Sequence, residues 1–112
     1  MEIKYFTSET GNVPVLKFLK KLTDRKHLMQ ILDDIELLRE FSINQLQSSG
    51  DVEKIKGIKE DIWELRTRCR GNIIYRTLFG IYDDKIFILH IFNKKDQKIR
   101  KQDIDIAISR LT

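Results

Sequence analysis

Residues 62–92 read IWELRTRCRGNIIYRTLFGIYDDKIFILHIF, and the periodicity of this stretch governs the kind of fold the chain can adopt. Trp63, Leu65, Thr67 and Cys69 alternate with Ile62, Glu64, Arg66, Arg68 and Arg70, the period of two that marks an extended strand with two unlike faces. One face suits a core, whereas the other lines up arginines about 7 Å apart at the rise of a strand. Gly71-Asn72 predicts a tight turn, and Ile73–Phe79, rich in β-branched and aromatic residues with Arg76 its only charge, predicts the returning strand of a hairpin. Gly80–Asp84 predicts the next turn, and the almost unbroken apolar run Lys85–Phe92 predicts a central strand covered on both sides. Three antiparallel strands in a meander follow.

Upstream, Ile3 and Tyr5 alternate with polar neighbours, which predicts a short strand over Glu2–Phe6 that ends in the turn-prone residues 7–12. Pro14 suits the first turn of a helix, and Val15, Phe18, Leu19 and Leu22 repeat at helical spacing. Thr23 or Asp24 is placed to cap a second helix, in which Leu28, Ile31, Leu32, Ile35 and Leu38 form one apolar stripe ending near Phe41. Residues 42–51 have no clean period and read as a surface connection. Downstream, Ile104, Ala107, Ile108 and Leu111 predict a closing helix. The expected fold class is α+β: a small, twisted, mainly antiparallel sheet packed against helices, with elements in the order β-α-α-β-β-β-α.

At 112 residues and 41% hydrophobic composition, the chain is expected to form a single domain over residues 1–112. The lone Cys69 offers no disulfide partner, the N-terminus lacks the apolar run of a signal peptide, and no stretch approaches a membrane span. A cytoplasmic protein without membrane association is therefore expected. Charge is unevenly spread. Residues 54–101 hold 13 basic and 6 acidic side chains, residues 1–53 hold 7 and 9, and residues 102–112 hold 1 and 2. A basic middle segment is the footprint of a protein that meets phosphate backbones, and equally of a lysine-rich surface or an interface for an acidic protein.

Glycine-rich phosphate loops, HExxH, paired Cys-x-x-Cys and GxSxG are missing from the sequence, so zinc, nucleotide-hydrolysis and serine-hydrolase readings lack support, and no metal or other cofactor is expected. His90, inside IFILHIF, reads as a sheet histidine with a satisfied ring, and His27 as a solvated residue near a helix start. What remains is a set of cations. Lys54, Lys56 and Lys59 precede the arginine strand, Arg66, Arg68 and Arg70 lie along it, Arg76 is on the next strand, and Lys94, Lys95, Lys98 and Arg100 follow the last. The start of the first of these strands and the end of the third are expected at one end of the sheet, around a single phosphate. Cleavage of RNA by its own 2′-hydroxyl builds charge on phosphate oxygens that fixed cations stabilise. Clustered lysines also depress one another's pKa, so one could take the hydroxyl proton while a neighbour protonates the leaving oxygen. Glu64 is an alternative general base on the same face as Arg66.

The stretch KGIKEDIWELRTRCRGNIIYRTLF, with IFILHIFNKKDQKI and DIDIAISR, resembles the phage-derived HigB branch of the RelE/ParE toxin superfamily. WELR (Trp63–Arg66), YR (Tyr75-Arg76) and F-x-K-K (Phe92–Lys95) stand in that family's order, although Asp96 and Arg100 depart from its usual threonine and proline. The resemblance implies a RelE-like fold and the toxin of a type II toxin–antitoxin pair, a metal-independent endoribonuclease (mRNA interferase) that cuts mRNA on the ribosome and arrests translation. It further implies a cognate HigA-type helix-turn-helix antitoxin in a hetero-oligomer that reaches operator DNA only through the antitoxin. Carried over, it points to Lys56, Arg66, Arg76, Lys94 and Lys95 as catalytic, with charge stabilisation by Arg66 and Arg76 and proton transfer by Lys56, Lys94 or Lys95. Lys54, Lys59, Arg68 and Lys98 are expected to bind RNA. A ParE-like gyrase inhibitor without ribonuclease activity, and a non-enzymatic nucleic-acid-binding protein, are the alternatives.

Overall fold

A computed structural model describes residues 1–48, 50–93 and 99–111. Its elements are β1 (Glu2–Tyr5), α1 (Pro14–Lys20), α2 (Arg25–Leu37), a 3-10 turn (Leu38–Glu40), α3 (Ile43–Ser48), β2 (Val52–Lys54), β3 (Ile62–Cys69), β4 (Ile73–Tyr82), β5 (Lys85–Asn93) and α4 (Lys101–Leu111). The protein is α+β. Five strands form one mixed sheet in the order β1-β5-β4-β3-β2, with β1 parallel to β5 and the remaining neighbours antiparallel.

One element lies within the stretch expected to be a plain connection, and another follows it where no element was expected. Residues 43–48 make the short helix α3, and residues 52–54 add β2 to the free edge of β3 in the register Val52↔Leu65 and Lys54↔Trp63. A three-residue strand gives no readable period. It forms because the edge of β3 otherwise exposes its backbone groups, and the Arg66 N–H donates to the Asp51 carbonyl at 2.8 Å.

The two sides of the sheet are covered differently. On one, α1 and α2 bury Ile31 and Ile35 against Leu65, Phe79, Ile86 and Ile88, with Trp63 stacked on Phe79 at a ring separation of 6.4 Å. Asp24 caps α2 by accepting from the backbone N–H groups of Lys26 and His27, which satisfies donors a helix start leaves open. On the other side, α4 sets Ala107 against Ile62, Leu78, Leu89 and Phe92. A bulge shifts the β4–β5 register between Leu78 and Phe79, so that Phe79 pairs Ile88 while Leu78 pairs His90. The extra residue changes the phase of β5. Ile86, Ile88 and Ile91 therefore join the core beneath α1 and α2, whereas His90 reaches Asp103 of α4.

Two details correct the expectations. Gly80 is not in a turn: β4 runs on to Tyr82, and the reversal is made by Asp83 (φ 53°) and Asp84 (φ 58°) between the paired Tyr82 and Lys85, the two left-handed residues of a type I′ hairpin. A Cβ on Gly80 would lie 2.5 Å from Leu111 Cδ1, so glycine lets the end of α4 settle on β4. Arg70 falls in the β3–β4 turn rather than on the strand. Among the described residues, no helix is long and apolar enough to cross a membrane.

Candidate functional site: a cationic cavity beside the last helix

α4 shields only part of its side of the sheet. Beyond it, Glu64 and Arg66 of β3 and Arg76 of β4 project from positions that the register places together, with Arg66 directly opposite Arg76. The alternation read from the sequence explains this, because residues 64 and 66 share a face and the antiparallel partner of residue 66 must share it too.

Glu64 joins the two arginines. One of its oxygens accepts from Arg66 Nη1 at 2.6 Å and the other from Arg76 Nη1 at 2.9 Å. Glu64 and Arg76 are buried and Arg66 is largely so. A carboxylate accepting at both oxygens from two guanidinium groups is a positioning group, since those bonds fix both side chains in low dielectric. Arg66 is further held by Glu53 at 3.1 Å and by the Gly50 carbonyl at 3.2 Å. Burial by itself would lower the Arg66 pKa, but the hydrogen bonds it donates to Glu64 and Glu53 and their charges outweigh it and raise the pKa above the ordinary value. Arg66 is thus a permanent cation and not a proton carrier.

Around this pair opens a cavity of about 370 Å³ lined by Glu53, Lys54, Ile55, Lys56, Glu64, Arg66, Arg76, Ile99 and Ile104. Lys54 comes from β2 and pairs with Asp61 at 2.7 Å; Lys56 is exposed on the loop that follows. Ile99 and Ile104, before and within α4, form an apolar wall. A second hollow of about 290 Å³ shares Glu53, Arg66 and Arg76 and extends to Arg68 and Ile74, where Arg68 Nε lies 3.4 Å from Asp51. Together they make a groove across β2, β3 and β4.

Lys54, Lys56, Arg66 and Arg76 therefore share one cavity, and Arg68 borders the adjoining one. Lys59 is exposed and lines neither. Lys94, Lys95 and Lys98 lie outside the described residues. The expected meeting of the start of β3 with the end of β5 does not occur as drawn. Both strands are antiparallel to β4, so they run the same way, and Asn93 pairs Tyr75, whose other partner is Thr67 near the far end of β3. Instead, Ile99, just before α4, lines the cavity. The sequence reading also missed Asp51, Glu53 and Asp61, the acidic partners of the groove. Asp51 and Glu53 stand in the charged stretch Asp51–Lys56, which has no readable period, and Asp61 directly precedes β3.

The histidines lie elsewhere. His90 is half-buried; its Nε2 is 2.9 Å from Asp103, itself bonded by Arg100 at 3.2 Å. Burial pushes the His90 pKa down, against the opposing pull of Asp103. His27, expected to be solvated, is buried: its Nδ1 is 2.9 Å from the Tyr75 hydroxyl and its Nε2 is 3.4 Å from Asp24. Residues 27, 31 and 35 are four apart, so the helix turns His27 inward with Ile31 and Ile35.

An α+β chain that gathers cations from several strands around one open cavity presents a positively lined hollow on a sheet face, a feature whose chemistry suits an anion. Residues 17–112 match the family described as Phage derived protein Gp49-like (DUF891), and the chain belongs to that family, which is associated with the toxins of toxin–antitoxin systems. No curated protein matches the chain.

Proposed function

We propose that this protein is the toxin of a type II toxin–antitoxin pair, with a RelE-like, HigB-type architecture in a single domain, and that it cleaves mRNA on the ribosome. The observation that carries this reading is the shared cavity of Lys54, Lys56, Arg66 and Arg76. Membership of a toxin-associated family supports the biological setting.

In the proposed reaction the scissile phosphate enters the cavity above Arg66 and Arg76. The 2′-hydroxyl attacks phosphorus, the bond to the 5′-oxygen breaks, and a 2′,3′-cyclic phosphate forms. Negative charge accumulating on the non-bridging oxygens is met by guanidinium groups already fixed by Glu64, so little reorganisation is needed during the step. Lys56, exposed on its loop, is the described lysine suited to moving a proton, with Lys94 and Lys95 sharing that role. Glu64 is the weaker candidate for a base, because both its oxygens already accept from arginine. Lys54 and Arg68 bind the flanking backbone, together with Lys59 and Lys98. The partner is an antitoxin of HigA type that covers this groove.

The test is controlled expression in bacteria with separate pulse labels for protein and DNA. Protein synthesis should stop first, and mRNA recovered from ribosomes should carry new ends. Arrest of DNA synthesis first, with intact mRNA, would refute ribonuclease action and favour a gyrase poison.

A further inference from the structure

Every cation whose ion pair is described along the groove has an acidic partner, but the partners are of two kinds. Glu64, buried, bonds Arg66 and Arg76 from beneath. Asp51 and Glu53 are exposed, with side chains 57% and 58% accessible, and they hold Arg68 and Arg66 from the solvent side. An exposed pair of this sort is weak and is readily exchanged, whereas a buried one is not.

The spacing of the exposed pair matters. Asp51 and Glu53 are two residues apart where the chain enters β2, and two residues on one face of an extended strand lie about 7 Å apart, comparable with neighbouring phosphates of an extended single strand. Their partners, Arg66 and Arg68, are also two residues apart on β3, and both border the groove.

We propose that Asp51 and Glu53 occupy the positions of two successive RNA phosphates, and that single-stranded RNA binds by displacing them from Arg68 and Arg66. This rests on the ribonuclease reading and deepens it: it assigns a two-phosphate subsite beside the cavity and makes the exposed β2 carboxylates an intramolecular competitor. Arg66 does not swing free when Glu53 leaves, because Glu64 and the Gly50 carbonyl still hold it. The competitor limits binding to loose polyanions and leaves a fixed arginine for a correctly registered strand.

The experiment measures binding of the full chain to a short single-stranded RNA, 2′-O-methylated so that it cannot cleave itself. Variants are Asp51→Asn, Glu53→Gln, the double variant, and Glu36→Gln as a control with the same change in net charge on α2, where Glu36 pairs with Arg39. Thermal melts establish folding. Each groove substitution should tighten binding about two- to fivefold, the scale of a lost exposed ion pair, and the double variant about tenfold, while Glu36→Gln should leave affinity nearly unchanged at physiological salt. Unchanged or weaker binding by the folded double variant would overturn the proposal, as would equal tightening by Glu36→Gln. Tightening towards polyglutamate but not RNA would assign the groove to an acidic peptide and overturn it too. Arg66→Gln and Arg68→Gln separate the two levels: if they weaken RNA binding while the acidic variants change nothing, only the exchange fails, and if wild type binds no RNA, the underlying reading fails with it.

Discussion

Replacing Glu64 with glutamine should be among the most damaging conservative changes on this face. Glu64 and Arg76 have side chains only 4% and 5% exposed and lie 2.9 Å apart, and the second Glu64 oxygen serves Arg66. Glutamine keeps one acceptor but turns an –NH₂ toward a guanidinium, leaving the Arg76 charge buried without its carboxylate. Removing one partner of a buried pair costs about 3–5 kcal/mol. For a chain of this size, that corresponds to a fall in Tm on the order of 10–20 °C. Urea unfolding followed by fluorescence of Trp63, which stacks on Phe79, measures it. Glu53→Gln is the contrast, since its exposed pair with Arg66 should be worth under about 1 kcal/mol. Adding Arg76→Met to Glu64→Gln should restore much of the loss by replacing a buried charge with an apolar side chain. A loss below about 1 kcal/mol for Glu64→Gln, or equality with Glu53→Gln, would refute the buried-bridge reasoning.

Further outcomes are expected elsewhere. Burial holds the His90 pKa below its ordinary value, so the folded state favours the neutral ring; stability should be complete above about pH 6.5 and decline as pH falls below it, and His90→Gln should flatten urea midpoints measured between about pH 7 and 5. Tyr75→Phe removes the hydroxyl bonded to buried His27 and should cost about 1–3 kcal/mol in the same unfolding assay. Asp84→Gly relieves a left-handed aspartate in the type I′ turn and should raise stability by about 0.5 kcal/mol, read as a higher urea midpoint.

Much of the sheet was legible in the sequence because period-two patterning is strong where one face is buried, as in Ile62–Cys69. The turns announced themselves through Gly71-Asn72 and through Gly80–Asp84, although only Asp83-Asp84 of the latter makes the reversal. β2 was not legible, since Val52–Lys54 has one apolar residue and owes its strand conformation to the free edge of β3. The bulge at Leu78/Phe79 was hidden as well, because Lys85–Phe92 is apolar on both faces and a shift of phase leaves no mark in such a run. At the site, the cations were readable from composition and spacing, but their acidic partners depend on the β2–β3 register. Direction mattered most at β5: strands one and three of a meander run the same way, so the end of β5 and the start of β3 lie at opposite ends, and the cavity is closed by Ile99 and Ile104 instead.

The groove as the site of chemistry is tested most directly by single-turnover cleavage of ribosome-bound mRNA by wild type, Lys56→Ala and Arg66→Ala, each verified as folded by thermal melt. Loss of a fixed group that stabilises transition-state charge should slow the Arg66 variant about 10²–10³-fold, with a comparable loss for Lys56 as proton carrier. Rates for both folded variants within twofold of wild type would contradict a catalytic role for this cavity.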